Sequence, residues 1–181
     1  MAVKEIALVL SAADPFAADR TLEALLSEFE KPILRLCFRL LGNLADAQDA
    51  AQEVFLKAHR HRDRLDPARP AGPWLYQVAY NQCRDRMRRR RPSVALEDIG
   101  PLAAAGNPEA QAVQNERRDL VLVALEILGD KERAALVLRD LEGMDTREVA
   151  AVLGTREETV RSQISMARAK MRKYLTSRNA L

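Results

Sequence analysis

Apolar residues recur every three or four positions along most of this chain, the spacing of one face of an α-helix. Leu22, Leu25, Leu26 and Phe29 form a first stripe, with Asp19 placed to cap it and Pro32 placed to break or kink it. Ile33, Leu36, Cys37, Leu40 and Leu41 form a second, ended by Gly42. Asn43 opens the next helix, with Asp46 in its first turn and an inner face of Ala47, Ala50, Ala51, Val54, Phe55 and Ala58. The other face of that helix carries Gln48, Asp49, Gln52, Glu53 and Lys57. Asp63 to Gly72 reads as a loop with Pro67 and Pro70 as breakers. Pro73 then suits the first position of a helix whose inner side is Trp74, Leu75, Val78, Ala79, Gln82, Cys83 and Met87. Its polar and aromatic groups include Tyr76, Gln77, Tyr80, Asn81 and Arg84; Pro92 stops it.

Residues 92–115 hold no sustained stripe, and Pro101 and Pro108 would interrupt any long helix, so this stretch reads as a flexible linker. Helices resume at Glu116. Leu120, Val121, Val123, Ala124, Leu125 and Leu128 share one face. Asp130 is placed to cap a short helix containing Ala134, Leu136, Val137 and Leu141, closed by Gly143. Asp145 and Glu148 have capping-box spacing ahead of Val149, Ala150 and Leu153. Gly154 sits where a tight turn needs positive φ, and Thr155 with Glu158 suits a second capping box. Val160, Ile164, Ala167, Met171 and Leu175 form the last inner stripe. Opposite it stand Arg156, Glu157, Arg161, Ser162, Ser165, Arg168 and Arg172.

The pattern predicts an all-α protein: an arm over 1–18, a helical domain over 19–91, a linker over 92–115, and a second helical domain over 116–181 that ends in a helix-turn-helix. Composition agrees. Aromatics are only 4% of the 181 residues, and seven glycines and eight prolines are too few for a turn-rich β protein. A net charge of +3 decides little, but six arginines fall between Arg84 and Arg91. Such a block suits a polyanion, and it equally suits a solvated helix end favoured by the dipole. The helix-turn-helix in turn offers arginines and short polar groups of its second helix to base edges and phosphates, or is an ordinary hairpin with a charged face.

Other chemistry is thin. Cys37 and Cys83 are far apart in sequence, each on an apolar face, and read as core packing rather than a disulfide. His59 and His61 do not share a helix face, which argues against a metal site. No triad, phosphate loop or paired-carboxylate pocket is visible, so no catalytic residue, cofactor or metal is expected. The IALVL run near Met1 is too short and too acidic in its flanks for a signal peptide, and no apolar run is long enough to span a membrane. The expected location is the cytoplasm.

Three blocks carry a family resemblance. DAQDAAQEVFLKAHRHRDRL (Asp46 to Leu65) resembles the pattern DAEDLVQEVFLRLWRRLDRF of the extracytoplasmic-function (ECF) sigma factors of the sigma-70 family. WLYQVAYNQCRDRMRRRR (Trp74 to Arg91) resembles their WLYRIARNLARDRLRRRR, and LRDLEGMDTREVAAVLGTREETVRSQISMARAKMRKYL resembles their second domain. Order and spacing also match, over about residues 20–91 and 116–176. The resemblance implies a promoter-specificity subunit with no covalent chemistry of its own. Asp49, Gln52 and Glu53 would dock on the clamp of the largest subunit of RNA polymerase core, and the apolar surface of residues 120–141 would meet the flap of the second-largest. Trp74, Tyr76, Tyr80, Asn81, Arg84 and Arg88 would handle the melted minus-ten element, where bases need stacking surfaces and phosphates need cations. Trp74 is equally suited to anchoring the core. Arg156, Glu158, Thr159, Arg161, Ser162, Ser165 and Arg168 would read the minus-35 duplex.

An anti-sigma partner is also implied. The chain departs from its relatives where their GTVKSRLHRAR stands as ETVRSQISMAR: Gln163 and Met166 replace common cations, and Ser165 a common His or Phe. Two phosphate contacts are thereby removed from the expected set. Two other readings stand beside this one. A decoy that sequesters an anti-sigma protein has no use for the Arg84–Arg91 block. A duplex-binding regulator acting alone leaves residues 46–91 without a purpose.

Overall fold

A computed structural model describes residues 17–61, 71–89 and 119–178, with side chains from Ser27 onward; the arm up to residue 16, most of the 63–72 loop, Arg90, Arg91 and the linker lie outside these. All regular structure among the described residues is helical.

Helix α1 spans Ala17–Leu41, α2 Leu44–Arg60 and α3 Gly72–Arg89. Each packs on the other two. Ile33, Leu36, Cys37 and Leu40 of α1 meet Ala47, Ala50, Val54 and Ala58 of α2 and Leu75, Ala79 and Cys83 of α3, all fully buried. The alanine stripe of α2 lets its backbone approach its neighbours closely. The α1–α2 corner follows from its residues. Gly42 has φ +75°, a left-handed conformation that a side chain would strain, and its N–H bonds the Phe38 carbonyl. The Asn43 side chain then accepts the Asp46 N–H at 2.7 Å, as the sequence indicates.

Three expectations in this body are corrected. Pro32 does not break α1: the carbonyl it leaves unbonded belongs to Glu28, an exposed residue where water can serve. Asp19 lies inside α1, which starts at Ala17, rather than capping it. Helix α3 begins at Gly72, one residue ahead of Pro73.

The second body opens with helical residues 119–126 (α4), followed by α5 (Asp130–Leu136), which runs into a π-helical turn over Val137–Leu141. Here Gly129 is the N-cap rather than Asp130, and the Glu132 carboxylate accepts its N–H at 3.1 Å. The π turn changes which side chains face inward. Glu142 N–H bonds Val137 O and Met144 N–H bonds Leu138 O. Val137 and Leu138 are buried, while Leu141, expected inside, is 40% exposed.

Helix α6 spans Thr146–Leu153 and α7 spans Glu157–Ser177. Val149, Ala150 and Val152 of α6 and Val160, Ile164 and Ala167 of α7 complete this core. The bodies touch: α3 packs on α6, and α1 on the π turn.

Candidate nucleic-acid and polymerase interface

The helix-turn-helix is built by its caps. Asp145 accepts the Glu148 N–H at 2.8 Å and Glu148 accepts the Asp145 N–H at 2.8 Å, a complete capping box. Gly154 ends α6 at φ +62°, and Thr155 N–H closes back on Ala150 O at 3.0 Å. That bond commits Thr155 to the end of α6. The N-cap of α7 is therefore Arg156, without a side-chain cap, and not Thr155 as the spacing suggests. The turn leaves the first three turns of α7 open. Arg156, Glu158, Thr159, Arg161, Ser162 and Ser165 are all exposed. Arg161 pairs with Glu157 at 2.7 Å along the helix, and Ser162 donates to the Glu158 carbonyl at 3.0 Å. Both are surface ties that a stronger acceptor can displace.

Arg168 is different. Its guanidinium binds both carboxylate oxygens of Asp140, at 2.9 and 2.6 Å, and this partner raises its pKa. Lys170 likewise holds Glu132, at 2.7 and 2.8 Å. These pairs tie the rear half of α7 to α5 and the π turn. Gln163 is half-buried, its Oε1 enclosed without a hydrogen-bond partner, whereas Met166 is 49% exposed.

In the first body, Asp49 and Gln52 are exposed and Glu53 half-exposed on the outer face of α2. Beside them lies an open groove of about 500 Å³ between α1 and α2, lined by Leu34, Gln52, Phe55, Leu56 and His59 among others. Leu56 is 41% exposed there. This face combines carboxylates with an apolar trough. The carboxylates are visible in the sequence, whereas the trough is not, because Leu56 lies off the buried stripe.

The α3 residues expected at the minus-ten element divide. Arg84 and Arg88 are exposed; Asn81 is half-buried. Arg84 lies over the Tyr80 ring at 5.9 Å and 3.6 Å from Asp85. Trp74 is half-buried, packed against the core and edge-on to His61 at 6.3 Å. Tyr80, expected on the polar side, is only 6% exposed; burial raises its pKa, and Asp130 of the second body adds to the rise. Tyr76 meets Phe29 edge-on at 6.4 Å and donates to Glu142 at 3.2 Å. Burial, then the Glu142 charge, pushes its pKa up to about 12. The two tyrosines thus face the second body.

Behind this face the thiols of Cys37 and Cys83 hydrogen-bond each other across α1 and α3, and that contact together with burial pushes the Cys83 pKa far up. Both are free and fully buried, which makes them inert packing groups.

A capped helix pair with an exposed polar face, joined to a three-helix body bearing cations and aromatics, defines a helix-turn-helix nucleic-acid-binding protein with a second working surface. Comparison with known proteins sharpens this. The family models for Sigma-70 region 2 and Sigma-70, region 4 match residues 25–92 and 118–171. The chain is 33% identical over 178 residues to the ECF RNA polymerase sigma factor SigE of Mycolicibacterium smegmatis, covering 95% of this chain and 68% of that protein. It is 30% identical over 158 residues to the ECF RNA polymerase sigma factor SigW of Bacillus subtilis, covering 81% and 84%. Among solved structures, CnrH in complex with the cytosolic domain of CnrY aligns with a TM-score of 0.66 at 27% identity, covering 88% of this chain and 90% of that one. The sigma factor RpoE in complex with the anti-sigma factor NepR from Bartonella quintana shares the fold, with a TM-score of 0.70 at 22% identity over 87% and 98% of the two chains. The chain belongs to the sigma-70 family, among the promoter-recognising ECF RNA polymerase sigma factors. No described helix is long and apolar enough to cross a membrane.

Proposed function

We propose that the chain directs initiation through four surfaces and performs no covalent chemistry itself. Asp49, Gln52 and Glu53, with the neighbouring trough, dock on the clamp of the largest subunit of core polymerase, where carboxylates pair with basic groups and an apolar side chain fills the groove. Arg156, Glu158, Thr159, Arg161, Ser162 and Ser165 read the minus-35 duplex from the major groove. Arg84 and Arg88 hold phosphates of the melted minus-ten strand, while Tyr76, Tyr80, Asn81 and Trp74 receive its bases. The apolar side of α4 and the π turn meets the flap. Arg168, tied to Asp140, acts on the minus-35 duplex by fixing α7 rather than by reaching a phosphate. The protein works in the cytoplasm and is restrained by an anti-sigma partner; the sigma factor RpoE from Bartonella quintana was solved in complex with such a partner, the anti-sigma factor NepR.

One observation carries this reading: a carboxylate-and-apolar face on α2 and an arginine-and-hydroxyl face on α7 are both open to solvent in one chain. A duplex-binding regulator acting alone needs only the second, and a decoy needs neither cationic surface. The test is co-purification with core polymerase followed by run-off transcription. The expected result is a stable complex that initiates at a discrete promoter. A chain that fails to bind core at low salt, with inhibitors absent, overturns the proposal.

A further inference from the structure

The open face of α7 has two unlike flanks. Arg161, Arg168 and Arg172 follow one another at intervals of seven and four residues and share one flank. Thr159, Gln163 and Met166 follow at four and three and share the other. These three side chains carry no charge. Lys170 comes next along their flank, but its ammonium is held by Glu132 at 2.7 and 2.8 Å and does not extend the set. Gln163 and Met166 are also the two positions where the family pattern carries cations.

Each of the two residues has an unmet demand. Met166, at 49%, is the most exposed large apolar side chain among the described residues. Water gives a thioether nothing, and the apolar group that a major groove offers is the C5-methyl of thymine. The Oε1 of Gln163 is enclosed without a hydrogen-bond partner, an unfavourable state for an acceptor. The residue is only half-buried, so rotation about its side-chain torsions carries the amide outward. In the groove, adenine matches it: the N6 amino group donates to Oε1, and N7 accepts from Nε2. From Gln163 to Met166 the helix advances about 4.5 Å, close to the step of about 3.4 Å between base pairs.

We propose that Gln163 and Met166 determine sequence specificity by reading two neighbouring A·T pairs of the minus-35 duplex, Gln163 at adenine and Met166 at the thymine methyl. This rests on the reading of α7 as the minus-35 helix. An arginine at either position would favour guanine, through its O6 and N7. The exchange of two cations for an amide and a thioether therefore changes which bases are recognised, besides removing charge. The arginine flank serves the phosphates: Arg161 by giving up its exposed tie to Glu157, and Arg168 by fixing the helix.

The test uses the full chain bound to core polymerase and a library of the promoter at which it initiates, randomised across the minus-35 element. Templates held in heparin-resistant complexes are sequenced. The parent is expected to enrich two neighbouring A·T pairs. Gln163→Arg with Met166→Arg should turn those two positions to G·C and leave the other enriched positions alone, a pattern that a misfolded α7 cannot give. On the enriched promoter, deoxyuridine in place of the contacted thymidine removes one methyl and should weaken parent binding about fourfold. It should leave Met166→Ala unaffected. 7-Deazaadenine removes N7 and should cost the parent about tenfold, and Gln163→Ala nothing. Positions that stay A·T in the double variant, or equal losses in parent and alanine variants, overturn the inference while the reading of α7 stands. A library enriched at no minus-35 position overturns both.

Discussion

Helices α3 and α7 are both proposed to face promoter DNA, yet α3 meets the second body along much of that face while the first turns of α7 meet only water. The difference fits what each is proposed to recognise. Duplex reading needs hydroxyls and guanidinium groups, which are stable in solvent and need no cover. Capture of unstacked bases needs aromatic faces, and an exposed aromatic cluster would be a sticky patch in a free protein. Tyr76 and Tyr80 are covered; Arg84 and Arg88, at the same helix's far end, are not.

Removing Arg84 and Arg88 together with Ala tests the α3 side most severely. Promoter opening is expected to fall about a hundredfold, at about 1.5 kcal/mol for each charge-assisted hydrogen bond, with core binding intact. Permanganate footprinting beside a core-binding titration measures both, and unchanged opening removes α3 from the melting step. Asp49→Ala with Glu53→Ala should weaken core affinity about tenfold while leaving promoter choice alone. A shift in promoter preference would show that α2 does more than dock. On the α7 side, Met166→Arg restores a cation on an exposed position and should steepen the salt dependence of minus-35 duplex binding by about one unit. A flat response would place the duplex elsewhere than along this face.

Two smaller effects sharpen the contrast. Asp145→Ala removes the α6 cap and should cost about 1 kcal/mol, seen as a melting-temperature drop of a few degrees. The last concerns the contact between the bodies. The Tyr76 pKa is raised from 10.0 to about 12, so the packed state favours the neutral phenol. That stabilisation is complete below pH 10 and is lost as pH rises toward 12. The distance between fluorophores attached at Gln48→Cys on α2 and Arg172→Cys on α7, both exposed positions, should be flat from pH 7 to 9 and lengthen above 10; lengthening already at pH 8 would rule out Tyr76 as its source.

Elements set by local chemistry were legible in the sequence. The Gly42–Asn43 corner, the Asp145 box and the αL residue Gly154 each depend on neighbours within a few positions, and each stands as the residues indicate. The apolar stripes likewise identify most of the buried residues. Differences lie where distant parts or competing local bonds decide. Pro32 survives inside α1 because packing on both sides of it outweighs one lost hydrogen bond. Thr155 was drawn to the end of α6 by Ala150, a choice between two caps that spacing leaves open. Leu141 was turned outward by a π turn that periodicity does not encode. The meeting of Cys37 with Cys83, and of Glu142 with Arg39 and Tyr76, joins positions whose separation in sequence carries no signal. Of the candidate site, exposure and pairing came from the structure, and the identities of the polar residues came from the sequence.

The division of α7 at its middle has a practical consequence. Its anchoring pairs, Arg168 with Asp140 and Lys170 with Glu132, lie behind the exposed turns and share no side chain with them. Residues 157–166 can therefore be exchanged as a cassette, provided Val160 and Ile164 are kept, without disturbing the moorings. On the proposed reading of α7, promoter choice is in that sense a replaceable part mounted on a fixed handle.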